Sequence, residues 1–239
     1  LDTSSNESGY SFQVSATPIV GGAPPADPSL VSYWKFDEGS GTTAFDDVGI
    51  NNGTLVNMQA ADWVPGVYGT ALDFDGINDY MNAGSDVPLE ITGDLTVSLW
   101  FKTDNFSTNK GPIAFSANGE TEATNILYRL GFNSVNGNDL TYSHEYGSGS
   151  NETHTFDTNL QTGIWYHAVI VRNVFSNTVD LYINGLHKGT FYYGNDPTGG
   201  TSGSLYIARN ITSDAYYDGL IDDIRIYNRA LSSIEVANL

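Results

Sequence analysis

The sequence predicts an all-β fold, and two observations carry that prediction. Short runs alternate between apolar and polar residues at the period of a strand, among them Ala71–Phe74, Trp165–Arg172 and Thr178–Ile183. Between such runs the chain is punctuated by glycine, 26 residues of 239, often as Asn-Gly or Asp-Gly pairs that favour tight turns. Helical periodicity surfaces only at Ser232–Asn238, where SSIE reads as a capping box. Many short strands with glycine-rich turns pack as two facing antiparallel sheets.

The elements follow in order. Residues 1–28 read as a linker or the end of a preceding module, because LDTSSNESGY is polar and VGGAPPADP is broken by Gly and Pro. The run YSFQVSATPI within it reads as one strand, either closing that module or lying along the edge of the next. Residues 29–239 read as one domain. Leu30, Ser32, Trp34 and Phe36 share one strand face. Leu72 and Phe74 point inward, with Asp73 and Asp75 opposite, and Leu95–Phe101 is apolar enough for a central strand. Leu140–Tyr146 and Thr153–Phe156 form a hairpin around GSGSN, and Asn184-Gly185 marks another. Leu205, Ile207 and Arg209 alternate in the penultimate strand. In the last, GLIDDIRIYNRAL, simple alternation places Asp222 on the core side with Ile224 and Ile226, and Ile221, Arg225 and Tyr227 opposite.

Composition narrows the function. A net charge of −19 repels phosphates, which excludes nucleic acid and anionic membrane as partners. It also disfavours strongly anionic glycans unless a local basic patch or a cation intervenes. There is no cysteine, so disulfides contribute nothing. No stretch is apolar enough to span a membrane, and the chain opens at Leu1 without a signal-peptide pattern, as an excised module would.

Five stretches resemble the LamG-like (laminin G-like, concanavalin A-like) family. They are YWKFDEGSGTTAFDDVGINNGTL, GTALDFDGINDYM, LTVSLWFK, WYHAVIVR with LYINGLHKG, and GLIDDIRIYNRAL followed by SSIEV. The resemblance covers the domain from residue 29 onward and implies an antiparallel jelly-roll sandwich of two sheets. It also implies a structural calcium, held by the Asp-rich loop after the first strand and the IDD-type aspartate. The fold hosts lectins, carbohydrate-binding modules, adhesins, hydrolases and lyases, so it assigns no activity by itself.

Candidate sites come from the residues. Calcium takes oxygen ligands, and Asp46, Asn51, Asp75 and Asp222 are the expected set. Each has an ordinary alternative: the loop aspartates stabilise turns, and Asp222 caps the turn after Gly219. A carboxylate among apolar neighbours, as expected for Asp222, needs a partner. Asp73 and Asp75 stand about 7 Å apart along one face, near the separation of an inverting glycosidase, but the concanavalin-type hydrolase pattern Glu-x-Asp-x-x-Glu is missing. Basic residues are scarce, so Arg129, Tyr142, His144, Tyr146, Arg209, Tyr216 and Tyr217 stand out as a saccharide surface of stacking rings and hydrogen-bonding cations. Arg129, Tyr142 and His144 also suit a polysaccharide lyase, and equally suit ordinary cross-strand pairs. His154, His167 and His187 lack metal-ligand spacing, and His167 reads as a core histidine. The expected function is a carbohydrate-binding module of a multidomain secreted or surface protein, binding a polysaccharide. A lyase and a non-catalytic adhesin or spacer are the alternatives.

Overall fold

The computed structural model describes residues 27–85, 87–106, 111–116, 126–132, 137–147, 150–198, 203–210 and 215–239. Nearly all of the expected linker, residues 1–26, lies outside them. The strands in the first half are β1 (Leu30–Trp34), β2 (Thr43–Ala44), β3 (Gly53–Val56), β4 (Trp63–Pro65), β5 (Thr70–Asp75), β6 (Tyr80–Asn82), β7 (Leu95–Thr103), β8 (Ile113–Ser116) and β9 (Ile126–Phe132). Those in the second half are β10 (Leu140–Glu145), β11 (Asn151–Phe156), β12 (Tyr166–Asn173), β13 (Thr178–Ile183), β14 (Leu186–Tyr192), β15 (Ser204–Ile207), β16 (Arg209–Asn210), β17 (Ala215–Tyr216) and β18 (Asp218–Tyr227). The one α-helix among the described residues, α1 (Ser233–Val236), starts at the expected capping box of Ser232 and Glu235.

Two antiparallel sheets pack face to face in a jelly-roll sandwich. The first runs β14-β13-β12-β7-β18-β5-β4, with β1 also paired to β18; the second runs β11-β10-β9-β8-β15-β6-β3-β2. The inward residues of both, including Trp34, Phe74, Leu99, Phe101, Leu130, Leu140 and Leu205, form one core. Asn184 and Gly185 both take positive φ, 50° and 74°, as a two-residue hairpin between β13 and β14 requires. A smaller apolar cluster on the outside of the first sheet, Val169, Val171, Tyr227, Leu231 and Val236, is closed by α1. Leu30 packs there rather than with Trp34, because the pairing of β1 slips between Leu30 and Ser32.

Simple alternation fails in β18. The register shifts between Asp222 and Arg225, with Asp223 at φ 55°. This bulge inserts one residue and returns Ile224 to the side that Ile221 occupies. Ile221 and Ile224 are therefore both core residues. Asp222, opposite Trp100, lies on the outer face of the sheet, contrary to the expectation that it shares a side with Ile224. It is nonetheless fully buried, because the loop Gly66–Tyr68 folds over it.

The two sheets are also joined by one charge. Arg172, near the end of β12, is completely buried and faces inward. Its Nε donates to Gly93 O at 2.9 Å and its terminal nitrogens to Ile91 O at 2.6 Å, Leu127 O at 2.9 Å and Tyr142 Oη at 3.2 Å. A guanidinium removed from water is tolerated only when it is well hydrogen-bonded, and here carbonyl and phenol oxygens accept four of its five N–H groups. Arg172→Met should lower unfolding free energy by about 3 kcal/mol or more, since three carbonyls and a phenol lose their shared donor. Urea denaturation checks this; a loss below about 1 kcal/mol would show that the charge is dispensable.

Candidate functional site: the outer face of the second sheet

Register builds a row across this sheet. Thr43 pairs with Thr54, Thr54 with Asn82, Asn82 with Tyr206, Tyr206 with Ala114, Ala114 with Arg129, Arg129 with Ser143, and Ser143 with Thr153. Every one of the eight strands contributes one member. The intervening residues Leu55, Met81, Leu205, Leu130 and Tyr142 belong to the core, so strand alternation turns Thr54, Asn82, Tyr206, Arg129 and Ser143 outward. Thr54 and Thr153 are exposed, and Asn82, Arg129 and Tyr206 are partly so.

At the middle of the sheet the row meets an aromatic cluster. Ala208 takes φ 66°, which breaks the alternation of β15, so Arg209 does not continue the core side of Leu205 and Ile207. Its guanidinium carbon instead lies 4.7 Å from the ring centre of Tyr80, 5.6 Å from Tyr206 and 5.7 Å from Tyr216. Tyr80 also approaches Tyr206 and Tyr216 at 6.0 and 6.2 Å between ring centres. Such cation–π and ring contacts hold large side chains in place without closing them off from solvent. Arg129 stands two strands away, roughly 10 Å by strand spacing. Its Nη2 donates to Ser143 Oγ at 3.4 Å, and its Nε is buried without an acceptor. Burial lowers its proton affinity from the usual arginine value.

The expected saccharide residues divide. Arg129, Arg209 and Tyr216 reach this face. Tyr142 and His144 do share a sheet face, as their spacing requires, but it is the inner one. Tyr142 donates nothing to solvent; it is 1% exposed and takes its hydrogen bond from Arg172. His144, 0% exposed, bonds Asn195 O through Nε2 at 2.8 Å and packs edge-on against Tyr193. Tyr217 is a core residue stacked on Phe132. Tyr146 sits at the turn between β10 and β11, partly exposed, where its amide bonds Ser150 O. The grouping of Arg129 with Tyr142 and His144 that suits a lyase is thus split between opposite faces. Sequence reading missed Tyr80, Asn82 and Tyr206, although each alternates with an apolar neighbour, Met81, Leu205 or Ile207, that a core would claim.

The four expected calcium ligands do not gather. Among the described residues no three His, Asp or Glu side chains are placed to hold a metal ion. Asp46 accepts amides from Tyr33, Val48 and Asn51, and Asp75 accepts those of Ile77, Asn78 and Asp79. Both carboxylates are therefore occupied in shaping loops. Asn51 donates to Ser32 Oγ at 2.7 Å, and Asp222 Oδ2 accepts the amides of Val67 and Tyr68 at 2.8 and 3.1 Å. The remaining oxygens of these two, Asn51 Oδ1 and Asp222 Oδ1, are buried without a donor. Burial above all raises Asp222 to about 6. Asp73 lies on the outside of the first sheet, where burial also raises its carboxyl, while its expected glycosidase partner Asp75 is committed to its turn.

No functionally curated protein sequence matches the chain. Solved structures do. Domain 4 of AbnA, a GH43 extracellular arabinanase from Geobacillus stearothermophilus solved with arabinotriose, is 22% identical with a TM-score of 0.69, over 88% of this chain and 97% of that one. A Trypanosoma rangeli sialidase in complex with the inhibitor DANA is 15% identical with a TM-score of 0.65, over 91% of this chain. The binding domain of Paraclostridial Mosquitocidal Protein 1 is 17% identical with a TM-score of 0.61, over 88% of this chain. The chain spans 33% of the sialidase and 51% of the mosquitocidal binding domain. A family model described as the concanavalin A-like lectin/glucanases superfamily matches residues 75–237. With that match and this sandwich, the chain belongs to the concanavalin A-like lectin/glucanases superfamily.

Proposed function

We propose that this domain binds carbohydrate on the outer face of its second sheet, as a module of a multidomain secreted or surface protein that recognises a polysaccharide. The observation that carries the reading is the outward row from Thr43 to Thr153, joined at its middle by Arg209 and three tyrosines. Hydroxyl and amide groups meet sugar hydroxyls, and pre-packed rings meet the C–H faces of pyranoses at little entropic cost. The likeness in fold to an arabinanase domain solved with arabinotriose supports the ligand class. No helix among the described residues is long and apolar enough to cross a membrane.

Ring contacts contribute on the order of 1 kcal/mol each, so affinity for a single chain should fall between micromolar and millimolar, roughly −4 to −8 kcal/mol. Tyr206→Ala should weaken retention on a panel of immobilised polysaccharides severalfold and leave the melting temperature nearly unchanged. Tyr217→Ala should do the reverse, because its ring fills the core, at about 3–5 kcal/mol of stability. Equal retention of wild type and Tyr206→Ala by every polymer that binds would sink the assignment of this face.

Calcium is the second part of the proposal, as a stabilising ion at Asp222. What supports it is the orphaned Oδ1 there; Asp46 and Asp75, with occupied carboxylates, do not fit as ligands without rearrangement. A chelator should lower the melting temperature, and added calcium should restore it, because a ligand of the folded state stabilises by mass action. An identical melting curve with and without chelator, on protein shown to be metal-free, would remove calcium from the account.

A further inference from the structure

We infer that the saccharide taken by this face carries a carboxylate, as a hexuronate residue does, and that the carboxylate sits on the Arg129 guanidinium. The inference rests on the carbohydrate reading above and deepens it by naming the chemical class. In a chain with 28 acidic and 9 basic side chains, a cation would be expected to find a carboxylate. Others do: Lys35 pairs with Asp47, Arg225 with Asp223 at 3.2 Å, and Arg229 with Asp27 and Glu235 at 2.6 and 2.8 Å. Arg172 donates to four oxygens. Among the described residues Arg129 has one hydroxyl, at the outer limit of hydrogen-bond distance, and no acceptor for its Nε.

The surroundings favour an external anion. Glu145 lies on the same outward side of β10, but it is 1% exposed, and its carboxylate accepts the amide of Ile126 at 3.3 Å. Thr141, Ser143, Thr153 and Thr155 occupy the outward positions of the next two strands; Thr141 and Ser143 are buried, and Thr153 and Thr155 supply hydroxyls for the rest of a sugar ring. Partial burial withholds water from the guanidinium, which strengthens any charge-assisted bond it makes. Its planar fork matches a carboxylate through two parallel N–H donors. Net charge then limits the class. A chain at −19 repels a densely sulfated polymer, whereas one carboxylate per bound segment meets one local cation.

The test titrates wild type and Arg129→Gln with glucuronoxylan and gum arabic, polymers in which uronates are sparse, each beside its carboxyl-reduced counterpart, with dextran sulfate as a further arm. At least one carboxylated polymer should bind about tenfold more tightly than its reduced form, one charge-assisted pair being of that order. Arg129→Gln should erase that preference and keep the weaker binding of the reduced polymer. Its melting temperature should equal or exceed that of wild type, since a buried donor without an acceptor is removed. If Arg129→Gln does not fold, Arg129→Lys, which keeps the charge and loses the fork, should reduce the preference severalfold. A preference that survives both variants, or a fall in melting temperature that tracks the loss, overturns the inference, as does equal capture of dextran sulfate. Equal binding of carboxylated and reduced polymers overturns it while leaving the carbohydrate reading intact. Retention of none of the polymers overturns both.

Discussion

A buried guanidinium sets the geometry on which the rest depends. Arg172 comes from the first sheet, but two of its four acceptors, Leu127 O and Tyr142 Oη, belong to the second. Leaving any of those oxygens without a donor in a dry interior costs more than the bond itself contributes. The phenol of Tyr142 is therefore held inward, and β10 inherits its phase from that residue. Thr141 and Ser143 must then face out, and cross-strand register carries Arg129 out with them. One slip of β10 would turn every member of the row to the wrong side.

The same logic explains how a strongly acidic chain can present basic groups on one face. Its basic side chains are few, and several have fixed tasks: Arg225 binds Tyr33 and Asp223, Arg229 ties Asp27 to α1, and Arg172 joins the sheets. Arg209 is packed among tyrosine rings, and Arg129 is held by a hydroxyl. A long-range negative field with these local exceptions suits a ligand that is mostly neutral, because only a near contact escapes the general repulsion.

Much of the fold was legible in the chain, and the failures have definite causes. The alternation of β12 and β13, the Asn184-Gly185 hairpin and the Ser232 capping box are local features, and the structure reproduces each. The side assigned to Asp222 was wrong because a bulge with Asp223 in the left-handed region adds a residue that periodicity cannot register. The left-handed Ala208 likewise takes Arg209 off the side of Leu205 and Ile207, although all three alternate in the sequence. Tyr142 and His144 were correctly placed together, but a strand's period says which residues share a face and not which face is buried. Arg172 supplied that answer, and as the last residue of an apolar run it reads in sequence like a strand end reaching water. Tyr80 and Tyr206 were passed over because they meet only through the pairing of β6 with β15, which joins segments distant in sequence.

The central claim is the location of the ligand, and nuclear magnetic resonance of labelled protein titrated with a retained oligosaccharide tests it most directly. The account predicts that resonances of Asn82, Arg129, Ser143, Thr153, Tyr206 and Arg209 move together with one dissociation constant. It predicts that those of Tyr68, Trp100 and His167, which pack together on the outside of the first sheet, stay in place. Shifts confined to that first-sheet group, with the row from Thr43 to Thr153 unmoved, would contradict it.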